Sequence, residues 1–237
     1  MSGSLGIRRN WLSVAIMTAV LLWMVVDASG VERLLRVAFP DERIVVYERQ
    51  TLGQLMVDHL ALVAVAAGIA LAVGLLLGLF LLTPLGARFR DLVLNLANLG
   101  QTFPSIAVMA LIVPALGYGW EPVIVALVAY SVLPVMLNVV AGVENVPADV
   151  VDAARGLGMS RIQRFRQVQF PLAFPVILGG IKNMLVIAVS AATMGAIVGA
   201  GGLGVPIMAG VMQFNSALIL QGAVPSALMA LIIDRAL

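Results

Sequence analysis

The sequence predicts an all-α integral membrane protein of about six transmembrane helices. Three observations predict it. Of 237 residues, 62% are hydrophobic and only 11% charged, where a soluble domain of this size carries about 25% charged residues. The apolar residues gather in runs near the roughly 20 residues needed to cross a hydrocarbon core. The arginines fall mostly between those runs. Spans and connections use the whole length, which leaves no separate soluble domain.

The first run, Trp11 to Val26, follows Arg8 and Arg9. A secretory signal has the same basic-then-apolar order, but "VVDASGVERLL" offers no clear small-x-small cleavage site. The run is read as a retained anchor helix with Trp11 at the interface. Residues 29–50 form a mixed-charge segment, and a second run covers 55–82. The third, 92–116, is interrupted by Pro104 and ends in the turn "GYGW". The fourth covers 122–143, the fifth 172–198 and the sixth 217–233. Residues 1–50 thus form an anchor helix plus an extracytoplasmic segment, and 51–237 the transmembrane domain.

Six crossings put residues 1–10, 83–91, 144–171 and 234–237 on one side, with nine of the thirteen arginines. The other four lie in 29–50, balanced by Glu32, Asp41, Glu42 and Glu48. Basic residues favour the cytoplasmic side. The reading is a multi-pass cell (inner) membrane protein with cytoplasmic N- and C-termini.

Several function classes drop out. With no cysteine and one histidine, thiolate and histidine metal clusters are excluded. A net charge of +2 gives no reason to expect nucleic acid. The glycine-rich stretch 195–204 lacks the Lys-Ser/Thr ending of a phosphate loop, so the chain itself should bind no ATP. An intramembrane serine protease would need a serine with a base, and there is no G-x-S-x-G. His59 is expected at the membrane interface. No catalytic residue is assigned.

The polar insert "DAARGLGMSRIQRFRQVQFP" (152–171) stands out. Pro147 suits a helix first turn, and a helix from there would turn Val150, Val151 and Ala154 toward the membrane. Gly156 and Gly158 break it. Ser160 and Gln163 match a capping box, starting a second short helix at Arg161. On that helix Ile162 and Phe165 share a face while Arg161 and Arg164 lie elsewhere, and Pro171 closes the unit. A plain basic loop would only fix topology and touch anionic headgroups. The order of caps, bend and amphipathic turn instead predicts a docking element, two short helices forming a knob.

This insert resembles the EAA loop of ABC-importer permeases: E-A-A, three residues, Gly, nine residues, I-x-L-P. Here Asp152-Ala153-Ala154 is followed by three residues, Gly158, nine more, and Val168-Gln169-Phe170-Pro171. The departures are Asp for Glu, Val for Ile and Phe for Leu. From residue 52 onward, "LGQTFPSIAVMALIVPALGYG", "AARGLGMS", "PLAFPVILGGIKN" and "GAIVGAGGLG" are similar to the osmoprotectant branch, which imports glycine betaine, choline, carnitine and related quaternary ammonium compounds. Methionine-importer permeases share the glycine-rich stretch, so a methionine or other amino-acid importer is the alternative.

The resemblance implies a type I importer fold, methionine-importer-like, with 144–171 as a coupling helix in a cleft of the ATP-binding subunit. Asp152, Ala153, Ala154, Gly156, Gly158, Ser160, Arg161, Arg164, Phe165 and Pro171 are the coupling residues. It implies two ATP-binding subunits holding ATP and magnesium, a second permease chain (identical or related), and an extracytoplasmic substrate-binding protein. A secondary transporter would leave the EAA spacing unexplained. Tight recognition of a quaternary ammonium uses aromatic cages. The 14 aromatic residues cluster on no single helical face, so tight binding is assigned to the binding protein.

Candidate pathway residues are polar groups or glycines within or beside the spans. Asn95, Asn98 and Gln101 recur every three residues and either line a pore or stitch helices by hydrogen bonds. Lys182, about ten residues inside the fifth run, either snorkels to the interface or serves a gate or subunit contact. Asn183 reads as stitching, like Asn138. Gly195 and Gly199 read as a small-xxx-small packing pair. Gly199, Gly201 and Gly202 are the remaining gate candidates.

Overall fold

A computed structural model describes the backbone of residues 2–237 and the side chains of residues 11–237. Arg8 and Arg9, on which the expected orientation of the first span rests, have side chains outside the described residues. The chain is helical throughout: α1 (Ser2–Val26), α2 (Ala28–Ala38), α3 (Leu52–Leu81), α4 (Pro84–Arg88), α5 (Arg90–Thr102), α6 (Ser105–Leu116), α7 (Trp120–Glu144), α8 (Ala148–Gly156), α9 (Arg161–Arg164), α10 (Phe170–Ala192), α11 (Gly204–Gln213) and α12 (Ser216–Ala236). A π-turn (Phe165–Gln169) joins α9 to α10, and a 3-10 turn (Thr193–Val198) follows α10.

Four helical segments are long and apolar enough to cross a membrane, or six if each of two bent pairs is one span. One bend follows the expected first span, and the other falls at the expected interruption of the third. α1 turns through 97° into α2, whose Val31 and Leu35 are buried while Arg33 and Arg36 are exposed. That is the form of an interfacial amphipathic helix. Asp27 makes the corner, accepting from the backbone N–H of Gly30 and the Ser29 hydroxyl, both at 2.9 Å, and from Trp23 Nε1 at 3.2 Å. Led by the Gly30 bond, these donors hold its carboxyl below the ordinary range. α5 and α6 meet at 96°. Phe103 is extended there, as a residue before proline prefers, and Pro104 caps α6.

The core is a three-helix layer in which α7 packs between α3 and α10. The sequence puts small residues where α3 approaches α7. A Cβ on Gly74 would sit 2.7 Å from Val135 Cβ, and one on Gly78 2.7 Å from Val139 Cβ. With buried Ala66 and Ala70 they form a four-residue small-side-chain ladder, the pattern that lets membrane helices close on van der Waals contact. The expected packing pair Gly195 and Gly199 behaves differently. Gly195 is buried against Val123, but Gly199 ends the 3-10 turn at φ +79° and is no helix-packing residue.

α11 and α12 form a hairpin, and α1 leans on α12. The segment before α3 is strapped to this hairpin. Asn215 Nδ2 donates to the Ile44 carbonyl at 2.7 Å, and the Tyr47 N–H to Gln221 Oε1 at 2.7 Å. These ties, with Gly119 N–H to the Val198 carbonyl at 2.8 Å, define the far face. The opposite, arginine-rich face holds α4, α8 and α9.

Candidate functional site

The insert folds into two helical pieces joined by a glycine bend, as the sequence indicates. Gly158 sits at φ +78°. Its N–H bonds the Arg155 carbonyl at 3.0 Å and the Met159 N–H that of Ala154 at 3.2 Å. Together these are the paired bonds of a Schellman stop, in which the residue past the cap must be left-handed. Ser160 then caps α9. Its Oγ accepts from the Gln163 N–H at 3.3 Å, and Gln163 Oε1 accepts from the Ser160 N–H at 2.8 Å, completing the capping box. Leu157 (78% exposed) and Ile162 (71% exposed) project from this bend.

The insert departs from its expected form in four respects. Pro147 caps α8 instead of occupying its first turn. Val150 points outward, while Val151 and Ala154 are the inward residues. Pro171 does not close the unit: Arg161–Val198 runs as one 38-residue helical span. The π-turn, in which the Phe170 N–H reaches back five residues to the Phe165 carbonyl, widens the helix where proline supplies no donor and crowds the preceding turn. Ile162 and Phe165 do not stand apart from the arginines either, since both line the same cavity as they do. Arg161, Arg164, Phe165 and Arg166 line one cavity. Asp152 and Arg155 pair at 2.9 Å, and Arg164 Nη1 donates to the Met159 carbonyl at 3.0 Å. Ala153 and Gly156 are exposed on α8.

A contact that sequence reasoning missed ties this platform to the broken span. Arg90 meets Glu144 in a two-pronged pair, Nη1 to Oε1 and Nη2 to Oε2, both at 2.7 Å. It joins the first residue of α5 to the last of α7. The two residues are 54 apart in sequence, and no local pattern pairs them.

The pathway candidates do not form one cluster. Gln101 Nε2 donates to the Tyr130 carbonyl at 2.8 Å. That carbonyl lacks its helical partner because Pro134 has no N–H, so Gln101 stitches α5 to α7. Asn95 and Asn98 lie on the exposed side of α5, as Asn183 does on α10. Asn138 Nδ2 donates to Pro134 of its own helix at 2.8 Å. Lys182 is bound within the chain: its Nζ lies 3.0 Å from Asp234 Oδ1 and 3.0 Å from the Asp234 carbonyl. Asp234, 52 residues away, was the missing partner.

Gly199, Gly201 and Gly202 all adopt positive φ in the loop between the 3-10 turn and α11. Gly202 lies against the ring of His59. His59 is completely buried between the helices. Its Nε2 lies 3.1 Å from the Val189 carbonyl, near the end of α10. A carbonyl only accepts, so Nε2 carries the proton and Nδ1 is a buried acceptor without a partner. Among the described residues no group of three or more His, Asp or Glu converges to hold a metal.

The family described as binding-protein-dependent transport system inner membrane component matches residues 49–236. The osmoprotectant import permease protein OsmY of Salmonella typhimurium is 40% identical over 179 residues, covering 76% of this chain and 76% of that protein. The glycine betaine/carnitine/choline transport system permease protein OpuCB of Bacillus subtilis is 37% identical over 185 residues, covering 76% and 81%. The carnitine transport permease protein OpuCD of Listeria monocytogenes is 38% identical, covering 69% and 76%. The inward-facing MetNI methionine ABC transporter superposes with a TM-score of 0.68 at 23% identity, over 78% of this chain and 92% of that one, which speaks for the fold. The chain belongs to the family of binding-protein-dependent transport system inner membrane components.

Proposed function

We propose that this chain is the permease subunit of an ATP-driven importer that moves quaternary ammonium osmoprotectants of the glycine betaine class into the cytoplasm. One observation carries the substrate class: relatives at 37–40% identity over about three quarters of the chain are permeases for osmoprotectants, or for glycine betaine, carnitine and choline. The methionine transporter shares the fold at only 23% identity, which favours the osmoprotectant reading over an amino-acid importer.

In this reading the chain catalyses no chemistry and binds no nucleotide. Two ATP-binding subunits carry ATP and magnesium, and they receive the segment 152–171, whose Leu157 and Ile162 stand out as a knob. A second permease chain completes the pathway. Asn95, Asn98 and Asn183, polar and exposed on spanning helices, face that path or the second chain. A binding protein delivers substrate to the far face, where residues 29–50 and 199–216 meet. Closure of the ATPases moves the knobs. Because α9 continues without a break into α10, that motion passes directly into a spanning helix. The arginine-rich face is then cytoplasmic, with both termini.

Uptake of labelled glycine betaine by cells expressing the whole transporter tests this, with unlabelled choline, carnitine and methionine as competitors. We expect competition from choline and carnitine, none from methionine, and loss of uptake in Gly158→Asp with the protein still in the membrane. Uptake that ignores the quaternary compounds and yields to methionine sinks the substrate class. Normal uptake by Gly158→Asp sinks the coupling role.

A further inference from the structure

Between the platform and the ends of two spanning helices lies a cavity of about 1080 Å³. The spans contribute apolar lining: Leu79 and Leu81 of α3, Leu82 just past its end, and Val143 of α7. The polar lining carries Arg90, Arg155, Arg161, Arg164 and Arg166 against two carboxylates, Glu144 and Asp152. Both carboxylates are already taken, Glu144 by Arg90 and Asp152 by Arg155. Arg164 is spent on a neutral carbonyl. Arg161 and Arg166, both exposed, have no acidic partner among the described residues. Three guanidinium charges therefore line one cavity without a carboxylate partner among the described residues.

We propose that this cavity binds the headgroup of an anionic phospholipid, with its phosphate held by Arg161 and Arg166. A guanidinium presents a planar fork that matches phosphate oxygens, and basic pockets at the ends of spanning helices suit such headgroups. The apolar lining decides for a lipid over a free anion. Leu79 lines the cavity and is itself 39% exposed, and Leu76, one helical step along the same helix, is 68% exposed. Leu85, just past the end of α3, is 58% exposed. The cavity floor thus continues onto a surface of α3 that acyl chains can follow. A partner protein is better served by the convex bend at Leu157 and Gly158 than by a concavity lined in part by span ends. The proposal goes beyond the transport reading and needs neither its substrate nor its orientation.

Native mass spectrometry of the detergent-extracted full chain, titrated with phosphatidylglycerol or phosphatidylcholine, tests it. The wild type is expected to retain phosphatidylglycerol at least fivefold better than phosphatidylcholine. The double variant Arg161→Gln, Arg166→Gln should retain the two lipids equally, and Arg161→Lys, Arg166→Lys should keep part of the preference. Arg33→Gln, on the opposite side of the membrane, should behave as wild type. A helical circular dichroism signal equal to wild type guards against misfolding. No preference in the wild type, or an undiminished preference in the double Gln variant, overturns the site. Complete displacement of phosphatidylglycerol by millimolar inorganic phosphate overturns the lipid assignment and leaves a free-phosphate site. If the double Gln variant keeps its lipid preference but loses co-purification with the ATP-binding subunit, the arginines serve the subunit contact and the proposal fails.

Discussion

Gln101 and His59 show what single polar side chains do in this apolar protein. Each donates to a backbone carbonyl at an irregularity of a neighbouring helix: Tyr130 above Pro134, and Val189 where α10 nears its end. In a bilayer no water takes over such a carbonyl. Losing the donor leaves it unsatisfied at about 1–3 kcal/mol. Gln101→Leu and His59→Leu should each lower stability in detergent by an amount in that range, whereas Asn95→Leu, at an exposed position on the same helix as Gln101, should change it little. Equal melting of Gln101→Leu and wild type removes the stitching role. The sequence marked Gln101 as polar and periodic, but its partner depends on a proline 33 residues on. Asp27 makes a different kind of prediction. Its folded carboxyl titrates below the ordinary range, so its contribution is present above the unfolded value near ~3.9 and is lost as pH falls through the folded one. The melting difference between wild type and Asp27→Ala should be constant from pH 5 to 8 and shrink below about pH 4. A difference that grows on acidification contradicts the assignment.

At the level of elements, the six apolar runs were legible because crossing a bilayer demands long uninterrupted hydrophobicity. The platform was legible because caps and left-handed stops need particular residues at fixed offsets. The break at Pro104 was legible too, but its right angle, the corner at Asp27 and the π-turn were not. They depend on how much room a neighbouring helix leaves, and Pro104 and Pro171 look alike in sequence, yet one breaks its helix and the other is absorbed. The α3–α7 ladder escaped notice for a related reason. Ala66, Ala70, Gly74 and Gly78 are ordinary in a membrane helix until Val135 and Val139 press against them. Gly74→Ala and Gly78→Ala should therefore each cost about 1–3 kcal/mol by overpacking, because the atoms in the way are Cβ atoms of a helix that cannot bend aside. Gly179→Ala on α10, with open space around it, is the control and should be neutral or slightly stabilising. Thermal unfolding of the three variants decides; equal effects at Gly78 and Gly179 would remove close approach as the explanation.

Taken whole, the molecule is knitted by polar contacts on both faces and by apolar packing between them. On the far face, Ile44, Tyr47, Asn215 and Gln221 bind the segment before α3 to the α11–α12 hairpin. On the arginine-rich face, the pair Arg90–Glu144 connects the broken span to the helix that leads into the platform. Its side chains are 36% and 45% exposed, so its share of stability is small, about 0–1 kcal/mol for pairs of this kind. A fork-to-fork geometry fixes direction as well as distance. What it fixes is the angle of α5 relative to the end of α7, four residues before the start of α8. If ATPase motion reaches the pathway partly through α5, breaking this pair should harm transport far more than folding. Arg90→Glu and Glu144→Arg should each melt within a few degrees of wild type yet take up betaine several-fold more slowly, while the double exchange, which restores an opposite-charge pair, should recover most of the uptake. Singles that transport normally would show that α5 follows the platform without this link. Singles that fail, together with a double that stays inactive, would place the defect in the separate environments of the two side chains and not in the bond between them.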